Sequence, residues 1–204
     1  MTAIWNFILQ GGVVMFPLLV CSILALAVII EKMVTLKKKR VIRPEILEVL
    51  ADIRKPEDVG LAVSFCNRKS GVFASLVCTS LNSLEIPAAE IKEILSDQGR
   101  QEIRTLERGL NILETVATIA PVLGLLGTVL GMIKVFNVIS IQGVGDPATL
   151  SGGISEALIS TAAGLAVAIP TLVFYNYLSH KAESLILDIE KHINDLLLKL
   201  RYIR

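Results

Sequence analysis

Residues 113–136 read LETVATIAPVLGLLGTVLGMIKVF and residues 152–176 read GGISEALISTAAGLAVAIPTLVFYN. In the first, 19 uncharged residues separate Glu114 from Lys134; at about 1.5 Å per helical residue, that bracket spans roughly 30 Å, one hydrocarbon thickness. In the second, Glu156 is the only formal charge before Lys181, and Tyr175, Tyr177 and His180 suit the far interface. Upstream, VVMFPLLVCSILALAVII at 13–30 adds an apolar run of 18 residues. It follows no Lys or Arg and leads straight into EKMVTLKKKR, which reads as a retained span rather than a cleaved leader, with Trp5 as a headgroup-level anchor. Three spans predict an all-α membrane protein. Composition agrees, with 53% of 204 residues hydrophobic, 19% charged and a mean hydropathy of +0.66. The net charge of +1 offers no nucleic-acid footprint.

Charge placement sets the orientation. Of 20 Lys and Arg, 14 lie from Lys32 to Arg108, five follow His180, and Lys134 marks the edge of span two. The segment before span one and the loop SIQGVGDPATLSG at 140–152 contain neither. By the positive-inside rule, both basic segments are cytoplasmic and the N-terminus is outside. The chain then divides into an N-terminal segment with span one (1–31), a cytoplasmic helical region (32–111), span two (112–139), an outer loop (140–147), span three (148–179) and a cytoplasmic amphipathic helix (180–204). KKKR at 37–40 reads chiefly as a topology signal, with anionic lipid as a second use.

Outside the spans, helices are expected. Pro56 to Cys66 opens on a first-turn proline and Gly71 is a later stop, while Pro87 to Leu113 carries Ile91, Leu95, Ile103, Leu106, Leu110 and Leu113 near period 3.6. This run continues into span two, so one helix from about 88 to 139 is expected, weakened locally by Gly99 and Gly109. Leu185, Ile189, Ile193, Leu196 and Leu200 form a stripe after span three. That stripe packs against either its own chain or a neighbouring subunit.

Glu156 makes the strongest physical demand. An acid at a membrane helix centre costs about 2.5–3.5 kcal/mol by insertion scales and so faces a bundle interior, a wet cavity or a partner. Asp146-Pro147 reads as an N-cap and first-turn proline, placing Glu156 roughly 14 Å into the third helix; a boundary near Ile154 makes it interfacial instead. Thr128 and Thr161 lie roughly 21 Å from the cytoplasmic margins of antiparallel spans. They form one polar layer, or each hydroxyl bonds a carbonyl of its own or a neighbouring helix. Gly124, Gly127 and Gly131 on span two, with Gly153, Ala157, Ser160, Thr161, Gly164 and Ala168 on span three, are small residues that permit close helix contact. Pro121 and Pro170 are bends or hinges.

Enzyme chemistry has little to stand on. The sequence has no P-loop, HExxH or GxSxG, and His180 and His192 suit surface roles. Cys21, Cys66 and Cys78 lack metal or disulfide spacing and read as small buried residues, and no cofactor is expected.

The paired segments at 113–136 and 152–176 resemble the MotA/TolQ/ExbB proton channel family, closest to its three-span ExbB/TolQ branch. About 65 residues carry the resemblance strongly, and the Glu31-Lys32 pair and topology extend it over nearly the whole chain. The resemblance implies a homopentameric ring in the bacterial inner membrane, enclosing an ExbD/TolR-like single-span partner whose membrane Asp takes the proton. It also implies a TonB/TolA-like periplasm-spanning recipient for the energy of the proton-motive force, in biopolymer transport or envelope maintenance. By position, Glu156 matches the third-span glutamate, and Thr128 and Thr161 match the pore-facing threonines. A flagellar-type stator fits less well, since those relatives have four spans. The alternative from another class is a non-conducting membrane scaffold that uses Glu156 only as a packing group.

Overall fold

The computed structural model describes residues 11–53, 55–83, 88–143 and 147–203. Trp5, Pro87 and Asp146 lie outside the described residues, as does part of the loop at 140–147. Among the described residues, eight helices follow in order: α1 (Met15–Thr35), α2 (Lys38–Val41), α3 (Pro44–Asp52), α4 (Pro56–Asn67), α5 (Val72–Asn82), α6 (Ala88–Glu107), α7 (Leu110–Gln142) and α8 (Pro147–Ile203). Three of them, α1, α7 and α8, are long and apolar enough to cross a membrane. The fold is all-helical and multi-pass. It divides into two units, one built from Met1–Ile30 and Gly109–Tyr177, the other from Glu31–Arg108 and Leu178–Arg204.

In the first unit, α7 and α8 approach backbone to backbone. A methyl group placed on Gly124 would sit 3.0 Å from the Ser160 carbonyl oxygen and 3.1 Å from the Thr161 Cα; one on Gly131 would sit 2.9 Å from the Ala157 Cβ. On the facing helix, Gly164 is equally confined, with the Ala120 carbonyl oxygen 2.6 Å from its would-be Cβ. Glycine is needed at these sites because any side chain would push the helices apart. The first span packs beside this seam: Val14, Met15 and Leu18 form an apolar cluster with Ala120 and Ala168, joined by Leu123, Ala163 and Val167. Val122, Leu125, Leu126, Val129, Ile133 and Phe136 are exposed, an apolar surface suited to hydrocarbon. Pro121 and Pro170 lie inside α7 and α8, which continue past them.

The expected single helix from 88 to 139 is broken. Helix α6 ends at Glu107 and α7 begins at Leu110, with Gly109 at φ +94° between them. The reason is stereochemical: the left-handed region is open to glycine, so Gly109 interrupts the helical run with a backbone conformation that other residues rarely adopt. Gly99, by contrast, stays within α6. Residues 147–203 form one helix, which carries both the third apolar run and the amphipathic stripe that follows it.

The second unit has its own core around Phe73, Ile46, Ile53, Val77 and Cys66, all fully buried. The stripe Leu185, Ile189, Ile193, Leu196 and Leu200 is buried too and closes on its own chain. There, the His192 ring meets Phe73 edge-on at 5.9 Å. Nearby, the Lys199 ammonium donates to the Leu50 and Ala51 carbonyls at 2.8 and 2.7 Å, a cation at the C-terminal turn of α3. Lys32, 3% exposed, donates to the Leu106 carbonyl at 2.9 Å in the last turn of α6. Of the cysteines only Cys66 is buried; Cys21 and Cys78 are half-exposed. Burial pushes the Cys66 thiol above its usual range, with the neighbouring Cys78 adding to the effect.

Candidate functional site

Glu156 occupies the third turn of α8, after Pro147 has opened the helix. Its carboxylate is not alone: the Lys134 Nζ, near the C-terminal end of α7, donates to Glu156 Oε1 at 2.5 Å. The Glu156 side chain is 21% exposed and that of Lys134 56%. From the third side comes Gly12, at φ +73°, where a methyl group would run into the Glu156 carboxylate. The acid therefore stands where the approach to α1, the end of α7 and the start of α8 meet. Pairing offsets the cost of taking a carboxylate out of water, which is several kcal/mol for an isolated ion.

The two threonines are placed differently. Thr161 donates across the seam to the Gly124 carbonyl oxygen at 3.2 Å, which the absence of a Gly124 side chain makes reachable. Thr128 bonds within its own helix, donating to the Leu125 carbonyl at 2.7 Å. The hydroxyls thus have separate carbonyl acceptors, and the group brought to Glu156 is Lys134. On α8, Glu156 and Thr161 are five residues apart, which on an ideal helix is roughly 140° around the axis. The carboxylate and the threonine hydroxyl leave the helix on different sides.

The structure gives two further residues a part in the site. Lys134, which by sequence marks the edge of span two, is the only Lys or Arg between Arg108 and Lys181. Ser160 is fully buried, donates to the Ala157 carbonyl at 2.8 Å and lies 3.5 Å from the Gly124 carbonyl, sharing that acceptor with Thr161. In the sequence it stands out only as a member of the small-residue repeat on span three, which marks close contact and not this hydrogen bond. Among the described residues, no cluster of His, Cys, Asp and Glu is arranged to hold a metal ion.

The helical architecture, with three helices long and apolar enough to cross a membrane and an acid within the third, agrees with the comparison to known proteins. Residues 69–191 match the MotA/TolQ/ExbB proton channel family, and the chain belongs to that family. A putative biopolymer transport protein, ExbB-like 1 from Synechocystis, is 35% identical over 179 residues, which is 83% of this chain and 68% of the relative. ExbB-like 3 from the same organism is 31% identical, over 82% of this chain and 81% of the relative. The biopolymer transport protein ExbB of Helicobacter pylori is 48% identical over 80 residues, 39% of this chain and 55% of its own length.

Proposed function

We propose that the chain is the ring-forming subunit of an ExbB/TolQ-type proton-driven complex in the bacterial inner membrane, with its N-terminus outside and both basic segments in the cytoplasm. Five copies enclose the transmembrane helices of an ExbD/TolR-like partner, and that partner's membrane Asp carries the proton. Glu156, Thr128 and Thr161 supply polar groups to the ion pathway. Protonation of the partner's Asp changes its attraction to these groups and permits rotation or displacement, which a TonB/TolA-like protein passes outward. The driving force is about 2.3 kcal/mol per charge per 100 mV, enough to bias a bistable contact and not enough to remake a fold. The similarity to ExbB-named relatives favours biopolymer transport over envelope maintenance.

The observation carrying this reading is a carboxylate within the third apolar helix of a proton channel family member. Glu156→Gln keeps the shape and removes the charge. Energised transport in cells should be lost while the oligomer still co-purifies with its single-span partner. The scaffold reading draws on the Lys134–Glu156 pair, since an ion pair is also a packing device; full transport by Glu156→Gln would favour it.

A further inference from the structure

The charged side chains in the sequence of the membrane unit are Glu114, Lys134, Asp146 and Glu156. One base therefore serves three acids. Glu114 lies 20 residues before Lys134 on α7, about 30 Å along the helix and beyond reach. A lysine near a helix end ordinarily extends along its own helix toward water, the least costly disposition for an ammonium in a membrane. Lys134 instead crosses to another helix and meets Glu156 at 2.5 Å.

The surrounding residues make that crossing possible. Gly131 and Gly153 lie on the seam one turn from the pair, and a methyl group on either would strike the opposite helix, at Ala157 or Val135. Gly12 adopts a positive φ in the approach to α1, leaving the space that the Glu156 carboxylate fills. Close approach of α7 and α8 is thus a condition of the pair, and Gly12 closes over it without contributing a competing charge.

We infer that Lys134 is a positioning residue for Glu156: its ammonium holds the carboxylate at the junction of the three membrane helices, in the orientation from which it meets the ion path or the partner. This rests on the reading of Glu156 as part of the proton machinery. Lys134 acts through Glu156 and itself carries no proton along the path.

The test uses the full chain, reconstituted in vesicles with its single-span partner under an imposed proton gradient, and the same complexes followed by thermal melting. Lys134→Met should lower proton flux roughly tenfold with the oligomer and partner intact, the scale expected for losing a charge-assisted hydrogen bond. Lys134→Arg, which keeps charge and donors, should stay within about twofold of the native chain. Lys134→Glu should lower the melting temperature, and the exchange K134E/E156K should restore most of that loss, a result that does not depend on flux. Native flux in Lys134→Met, equal impairment in Lys134→Arg and Lys134→Met, or no thermal recovery in the exchanged pair would each overturn the inference. Native flux in Glu156→Gln would instead overturn the reading on which it rests, leaving the melting result to report on the pair alone.

Discussion

Glu45 shows how single residues in the second unit make its stability pH-dependent. The Lys69 ammonium donates to its carboxylate at 2.5 Å, and this hydrogen bond, together with the lysine's charge, holds Glu45 below its ordinary value of 4.5. A depressed carboxylate binds protons more readily in the unfolded chain. Its contribution is therefore complete above 4.5 and is lost as pH falls through the lower folded value. Glu45→Gln should melt below the native chain at pH 7, and the gap should close on acidification below 4.5; a gap that persists or widens in acid would contradict this assignment. Lys32 and Lys199 illustrate another use of charge, each meeting carbonyls in the last turn of a helix where the macrodipole favours a cation. Such contacts were not legible in the sequence, because they join residues 74 and 149 positions apart. Glu156 was legible from its rarity alone, whereas its partner Lys134 was not, since an edge lysine and a paired lysine look identical until helix register is known.

Among the elements, the α7–α8 seam is the most demanding. Gly164→Ala would place a methyl group 2.6 Å from the Ala120 carbonyl oxygen and 3.0 Å from the Gly124 Cα, both backbone atoms. The helices must then separate. Overpacking of this kind costs about 1–3 kcal/mol, so the variant should melt lower and lose oligomer in detergent. Gly152→Ala is the control: nothing lies within 4 Å of its would-be Cβ, and replacing a helical glycine contributes about 0.5–1 kcal/mol of stability. If both substitutions behave alike, the seam does not depend on close approach. The spans were legible because 18 or 19 uncharged residues have few other physical explanations, and the stripes on α6 and α8 because burial follows their period. The break at Gly109 was not. A glycine in a helical pattern reads only as a weak point, and whether it takes a positive φ depends on where the flanking helices pack.

The membrane unit carries the apolar stretches of the three candidate spans and the second unit most of the charge, which suits a multi-pass protein. Exposed Leu125, Val129, Phe136, Ile169 and Val173 have two suitable neighbours, lipid tails and another subunit. Native mass measurement of the complex in mild detergent should give five copies of this chain; a stable monomer that conducts with its partner would remove the ring. In the proposed function, a ring of this chain and its partner passes protons through a pathway to which Glu156 contributes. The most direct measurement is the pH inside sealed vesicles containing the chain and its single-span partner, followed with an entrapped dye after an acid jump outside. Acidification should require both proteins and be abolished in Glu156→Gln, with assembly unchanged. Acidification no faster than in protein-free vesicles with the native complex intact, or equal rates in the native chain and Glu156→Gln, would contradict it.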